Sequence, residues 1–236
     1  LMEKHYTVQV QQQVQDLVDD LKAVFTHAGL GGEAGEYKLL TQSFLYKFLN
    51  DKFLYEALII DESYDYVGLL DLSEEDYEWF LDDIGTKTAH LKPAQLIESL
   101  HRQQNQADFA EIFEQTLNQI AIDNNAIFSV HTEGGTDIRL FDQRLLTDTI
   151  SDASKRKEVA TSIINLLARV KFDQQIFSQG FDFFSTLFEY MIKDYNKDGG
   201  GKYAEYYTPH SVAKIIAAIL VGNDQPSNVK IYDPSA

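Results

Sequence analysis

Two short clusters near the end of the sequence contain residue types that could bind a ligand. The first, Tyr206-Tyr207-Thr208-Pro209, opens a predicted helix, because Thr208 suits the N-cap and Pro209 suits the first helical position. A helix start has unpaired backbone N–H groups and partial positive charge, which suit a carboxylate or a phosphate. Every helix has such an end, so an ordinary capped helix packed on a core is the alternative interpretation.

The second cluster, Asp233-Pro234, ends a short β-favouring run, Val-Lys-Ile-Tyr at residues 229–232. Proline cannot continue a central strand, so the strand should end at Asp233. In open α/β sheets, ligands bind in the loops that follow the carboxyl ends of strands. The sequence therefore predicts a buried strand followed by the start of a ligand-binding turn.

The secondary-structure elements that must position these clusters are predicted to be mainly helices. Ser73 is a predicted N-cap, with Asp76 three residues later in the position of a capping box. Glycines 29–35 predict a break, and residues 126–137 predict a loop or short hairpin. Apolar stripes at helical spacing occupy residues 14–25, 40–49, 77–84, 109–120, 163–170 and 212–220, with further helices predicted from Pro93 and over residues 155–170 and 181–195.

Composition indicates a globular protein. The sequence has 236 residues, 44% of them hydrophobic, which is enough for a sizeable core. The absence of cysteine excludes a disulfide framework, a thiol nucleophile and a thiolate zinc site. No stretch resembles a signal peptide or a membrane span, so we expect a soluble, cytoplasmic protein.

The charge balance argues against direct binding of DNA by this chain alone. The formal net charge is −17, whereas contacts to DNA phosphates normally come from clustered Lys and Arg. Much of the acidic excess lies in residues 61–83. A solvated helix face is the favoured interpretation of this segment, ahead of a DNA-mimicking or partner-docking surface.

Other patterns that could perform chemistry are weak. Gly199-Gly-Gly-Lys202 is similar in composition to a phosphate-binding loop, but Tyr203 replaces the required Ser or Thr and the spacing is wrong. The six histidines show no ligand spacing, so no metal site is expected. The aromatic run over 177–190 favours core packing over a platform for stacking bases.

Taken together, the two clusters carry a family resemblance. Glu205-Tyr-Tyr-Thr-Pro-His210, then a helix, then Ile231-Tyr-Asp-Pro-Ser-Ala236 resembles the modification subunit of type I restriction-modification systems, an adenine-specific DNA methyltransferase. In that family, an aromatic residue before Thr-Pro opens the cofactor region, and Asp-Pro-Ala-Cys-Gly-Thr-Gly forms the first methyltransferase loop. Ser235 replaces the usual alanine, and the glycines that should follow are not in this sequence.

The resemblance implies a site for S-adenosyl-L-methionine. The implied cofactor-binding residues are Glu205, Tyr206, Tyr207, Thr208, Pro209, His210, Asp233, Pro234 and Ser235. The family holds the target amine with an Asn-Pro-Pro-Phe/Tyr motif, which does not occur in this sequence. We therefore assign no catalytic residue here and expect catalysis to lie beyond residue 236.

The resemblance also implies a mainly α fold with two parts. Residues 1–170 would form a helical N-terminal domain that clamps DNA and assembles subunits. Residues 171–236 would hold connecting helices and the first helix and strand of a Rossmann-like α/β methyltransferase domain, cut off at the C-terminus. Glu36–Leu40 and Phe44–Asp51 resemble the family's early helix pair, and segments 138–142, 156–170 and 180–190 resemble its interdomain connection.

The implied partners are a specificity subunit, a second copy of the methyltransferase subunit, a restriction subunit and double-stranded DNA bound through the complex, with no membrane. A specificity subunit would select the target, which agrees with the acidic charge of this chain. Two alternatives remain open: a helical protein-interaction module without catalytic activity, and the N-terminal part of a single-chain adenine methyltransferase. A lone strand at 229–232 argues against the first alternative, because it needs a sheet to pair with.

Overall fold

A computed structural model of the protein describes residues 2–128, 139–172, 174–178, 187, 190 and 210–222. These residues are mainly helical, and none of them lies in a β-strand, which confirms the prediction of a mainly α fold. The chain divides into two compact units, Leu1–Tyr190 and Met191–Ala236. The functional boundary between residues 170 and 171 stays a prediction.

Helices of the first unit vary from one turn to more than seven turns in length. They are α1 (Met2–His27), α2 (Ala34–Ile60), α3 (Tyr66–Asp71), α4 (Glu74–Ile84), a 3-10 turn at Pro93–Gln95, α5 (Ile97–Gln103), α6 (Phe109–Asp123), α7 (Asn125–Phe128), α8 (Leu145–Thr149), α9 (Ala153–Arg169) and α10 (Gln174–Ser178). The second unit contains α11 (His210–Val221). None of the helices described is long and apolar enough to cross a membrane.

Helix α2 corrects the predicted early helix pair. Both segments, Glu36–Leu40 and Phe44–Asp51, lie on this one continuous helix of 27 residues. No proline or glycine separates the two segments, and the intervening Thr41 is accommodated because its Oγ1 donates a hydrogen bond to the Tyr37 carbonyl oxygen, 2.9 Å away. Gly35 also lies inside α2, so the predicted glycine break is shorter than expected.

The predicted loop at 126–137 needs a smaller correction. Helix α7 continues to Phe128, so the first residues of that segment are helical, because the Ile127 N–H donates to the Asn124 carbonyl oxygen at 3.0 Å. Residues 129–138 lie outside the described part of the chain. Of the helix predicted at 181–195, the structure describes Leu187 and Tyr190, and both are helical. The other positions lie outside the described part of the chain.

The core of the first unit forms around α2 and α9. Helix α9 packs against α1, α2, α5, α6 and α8 and buries Ile163, Ile164 and Leu167. On α2, Tyr46 is fully buried and its hydroxyl donates to the Gln95 carbonyl oxygen at 2.6 Å. Burial raises the pKa of this phenol well above its usual range. The side chains that point inward therefore join distant parts of the sequence in one hydrophobic core.

Helix α4 has the caps that its sequence predicts. The Ser73 Oγ accepts a hydrogen bond from the Asp76 backbone N–H at 3.1 Å and donates to Asp76 Oδ2 at 2.6 Å. At the other end, Gly85 adopts φ 57°, a left-handed conformation that glycine reaches without steric cost, and its N–H donates to the Leu81 carbonyl oxygen. Local sequence thus fixes both ends of this helix.

Candidate functional site

Helix α11 lies where the cofactor cluster predicts a helix. It runs from His210 to Val221, and it follows Thr208, the predicted N-cap, and Pro209, the predicted first helical position. It ends just before Gly222, whose φ is 62° and whose N–H donates to the Ala218 carbonyl oxygen at 2.9 Å. The prediction of a helix that ends before Gly222 is confirmed.

The first turns of α11 are suited to an anionic group. His210 is the first residue of this helix, and Lys214 lies four residues later. The helix contains no Asp or Glu. The partial positive charge of the helix start and the Lys214 ammonium therefore act in the same direction, toward a carboxylate or phosphate.

Most of the predicted cofactor residues lie outside the described part of the chain. These are Glu205, Tyr206, Tyr207, Thr208, Pro209, Asp233, Pro234 and Ser235, together with the predicted strand at 229–232. Of the predicted set, His210 alone is described, as the start of α11. The assignment of these residues to a cofactor site therefore stays a prediction.

The apolar face of α11 is exposed. Ile219 and Leu220 are 74% and 79% exposed, and the remaining large apolar residues of the helix are at least 41% exposed. This face has the spacing predicted from the sequence, at residues 212, 215, 216, 219 and 220.

A cleft of about 740 Å³ lies within the first unit. Residues of α2, α3 and α5 line it, together with the end of α9 and the segment that follows α9. Its most buried polar residues are Lys47, Asn50 and Asp51, while Arg169 and Lys171 are exposed at its edge. Sequence reasoning did not identify this cleft.

The buried end of the cleft holds an ion pair. Lys47 Nζ lies 3.0 Å from Asp51 Oδ1 and 2.9 Å from Oδ2, and the two side chains are 3% and 9% exposed. Burial lowers the pKa of Lys47, because it disfavours the charged ammonium; Asp51 opposes this shift, and the nearby Lys171 adds to it. The charge of Lys47 therefore depends on Asp51.

Asp51 also joins three parts of the chain. Its Oδ1 accepts a hydrogen bond from Asn50 Nδ2 at 2.8 Å, and its Oδ2 accepts one from the Phe172 N–H at 3.1 Å. Asn50 Oδ1 in turn accepts one from the Ile97 N–H at 2.9 Å. Since donors occupy both carboxylate oxygens, this arrangement favours a structural connection between α2, α5 and the segment after α9 over a general base.

The pairing of Lys47 with Asp51 could have been predicted from the sequence. They are four residues apart and fall on the same helical face as the apolar Leu40 and Phe44, where a surface helix would have no charges. Charges on a core-facing stripe indicate a buried pair. Across the described residues, no group of three His, Asp or Glu side chains is placed to hold a metal ion.

Comparison with known proteins gives a family match for the C-terminal segment. Residues 179–236 match the family model described as N-6 DNA Methylase. Neither a curated protein nor a solved structure matches the chain significantly. The matched segment is 58 of the 236 residues and contains both predicted cofactor clusters. This match supports, at the level of the family, a function related to adenine DNA methyltransferases.

Proposed function

We propose that this chain is the N-terminal part of the modification subunit of a type I restriction-modification system, an adenine-specific DNA methyltransferase. The observation that carries the proposal is the order of three features in one segment. Tyr207-Thr208-Pro209 precedes the helix His210–Val221, and Asp233-Pro234 follows it. All three lie within the residues that match the N-6 DNA methylase model.

The start of α11 would bind the methionine end of S-adenosyl-L-methionine. A free carboxylate belongs to that end of the cofactor, and the helix start offers it backbone N–H groups with Lys214 one turn away. The absence of acidic residues from α11 fits this role. Asp233-Pro234 would lead into the loop beneath the cofactor, at the carboxyl end of the first strand of a Rossmann-like domain.

When bound, the cofactor supplies an activated methyl group for the exocyclic amine of adenine. That amine is inaccessible inside stacked DNA, so the target base must leave the helix. The residues of this chain would bind and orient the cofactor, while the groups that hold the adenine would lie further along the full protein.

The charge of the chain supports a division of labour with partners. At −17 overall, it is a poor match for DNA phosphates by itself. We propose that a specificity subunit reads the DNA sequence, that two methyltransferase subunits assemble with it in the cytoplasm, and that a restriction subunit joins them. The helical first unit would serve assembly and DNA clamping.

Methylation with and without the specificity subunit tests this proposal. The full-length natural protein is incubated with DNA and S-adenosyl-L-methionine labelled on the methyl group, and N6-methyladenine is measured. We expect methylation only when the specificity subunit is present, and we expect Thr208→Pro to abolish it. Methylation by the protein alone would support the single-chain alternative, and the absence of methylation from a correctly assembled complex would contradict the proposal.

A further inference from the structure

Helix α4 has one face that the core requires. Tyr77, Phe80 and Ile84 are buried, and the Tyr77 hydroxyl donates to the Leu91 carbonyl oxygen. The Phe80 ring meets the Phe53 ring of α2 edge to face, with centroids 5.7 Å apart. This packing and the two caps described above hold α4 in a fixed position and orientation on the first unit.

The opposite face of α4 exposes Trp79. This residue is the single tryptophan of the sequence, and 69% of it is exposed. Tryptophan is usually well buried, so a large exposed indole on a well-packed helix is an informative exception. Exposed tryptophans of this kind are enriched among the residues that dominate protein interfaces.

Four acidic residues lie one turn from Trp79 along the same helix. Glu75, Asp76, Asp82 and Asp83 lie three or four residues from Trp79, the spacing that places side chains side by side on a helix, and all four are exposed. Helix α4 contains no Lys or Arg. We call Trp79 with these four carboxylates the Trp79 face.

Three of the four carboxylates of the Trp79 face are not needed to hold the fold together. In the described structure, Glu75, Asp82 and Asp83 make no ion pair or hydrogen bond through their side chains. Asp82 and Asp83 also lie in the last turn of α4, where the partial negative charge of the helix end opposes them. Their position is unfavourable for the stability of the helix, so the folding of α4 does not account for these two carboxylates.

We propose that the Trp79 face binds an arginine-bearing segment of a partner protein. A guanidinium group stacks on an indole face through a cation–π interaction, and its N–H groups can pair with the adjacent carboxylates. Arginine fits better than lysine because its planar group stacks and bonds at the same time. The negative charge repels nucleic acids and anionic membrane surfaces. This inference rests on α4 alone and is independent of the methyltransferase proposal.

The rigidity of α4 supports this role. Its buried face and its caps fix the backbone, so a partner does not have to order the helix on binding. A surface that is already ordered loses less conformational entropy when it binds. Only the side chains of the Trp79 face would need to adjust.

Fluorescence of Trp79 provides a direct test, because no other tryptophan contributes to the signal. The probe is a peptide of about 12 residues with arginine at every third position, titrated into the full chain, and the control peptide has glutamine in place of arginine. We expect the arginine peptide to shift or quench the emission in a saturable way and the glutamine peptide to leave it unchanged. An unchanged emission with both peptides would overturn the proposal.

Paired variants separate a specific site from general attraction. Asp82→Asn with Asp83→Asn removes two charges beside Trp79, and Glu111→Gln with Glu158→Gln removes two exposed charges from α6 and α9. We expect the first pair to weaken binding about fivefold and the second pair to have less than about a twofold effect. Equal weakening by both pairs would show that net charge alone attracts the peptide and would overturn the proposal.

Discussion

Replacement of Asp51 by asparagine tests the role of the buried ion pair most sharply. Asparagine has nearly the same shape, and its oxygen can still accept a hydrogen bond from the Phe172 N–H. What is lost is the negative charge that lies 2.9 Å from the Lys47 ammonium. Because the amide nitrogen of asparagine also replaces Oδ1, which accepts from Asn50 Nδ2, the substitution removes one hydrogen-bond acceptor together with the charge.

The expected cost follows from the burial of Lys47. Removal of one partner from a buried ion pair typically costs about 3–5 kcal/mol. Lys47 can limit this cost by losing its proton, which for a lysine of ordinary pKa requires about 4.6 kcal/mol at pH 7. Burial already lowers the pKa of Lys47, so proton loss is easier. We expect Asp51→Asn to reduce the free energy of unfolding by about 3 kcal/mol.

The pH dependence of this variant has a definite sign. Because the pKa of Lys47 is lower in the folded protein than in the unfolded chain, the unfolded chain binds more protons at pH values between the two. Stability contributed by this group therefore rises with pH across that interval and is lost as pH falls through the folded pKa. Raising the pH from about 7 to about 9.5 should narrow the difference between Asp51→Asn and the natural protein.

Urea unfolding followed by far-ultraviolet circular dichroism measures these changes. The double variant Lys47→Met with Asp51→Asn removes both charges and should recover to within about 1–2 kcal/mol of the natural protein. The control is Glu98→Gln, which removes an exposed ion pair with Arg102 and should cost less than about 0.5 kcal/mol. A cost below about 1 kcal/mol for Asp51→Asn, or a double variant less stable than Asp51→Asn, would refute this reasoning.

Three further predictions concern individual hydrogen bonds. Tyr46→Phe removes the hydrogen bond to the Gln95 carbonyl oxygen and leaves that buried acceptor unpaired. We expect the free energy of unfolding in urea to fall by about 1–3 kcal/mol, whereas an unchanged midpoint would show that this bond contributes little. Ser73→Ala removes the N-cap of α4 and should cost about 1 kcal/mol in the same assay, and Ser73→Asp, which keeps a cap, should retain most of that stability. Two effects act on the pKa of the Asp123 carboxyl. Partial burial raises this pKa, but hydrogen bonds from glutamine side chains and a nearby lysine lower it further, so that it lies below its usual range. The carboxylate therefore stabilises the fold above the ordinary carboxyl pKa, and this contribution is lost as pH falls through the lower folded value. Asp123→Asn should reduce the loss of stability in acid, and an unchanged acid unfolding profile would contradict this.

Local signals in the sequence were sufficient for helix caps. Ser73, with Asp76 three residues later, predicts the start of α4, and Gly222 predicts the end of α11, because a cap depends on neighbouring backbone groups alone. The prediction failed where the family resemblance divided Glu36–Leu40 and Phe44–Asp51 between two helices. Without a proline or glycine between Glu36 and Asp51, the backbone continues as one helix through both.

Contacts between distant residues were not predictable in this way. Lys47 and Asp51 have a helical spacing that could have indicated a pair, but the Phe172 N–H that completes the site lies 121 residues further along the chain. The same holds for the cleft, whose walls come from four separate regions. The cofactor residues were identified through a family resemblance, and the start of α11 at His210 is the part of that prediction that the described residues contain.

Isothermal titration of S-adenosyl-L-methionine into the full-length natural protein tests the central claim most directly. The variant Tyr207→Ala changes the proposed cofactor cluster, and the control Tyr203→Ala changes a tyrosine just outside it. We predict binding in the micromolar range, weakened at least about tenfold by Tyr207→Ala and little changed by Tyr203→Ala. Absence of binding by the folded protein, or equal effects of the two variants, would contradict the placement of the cofactor at the start of α11.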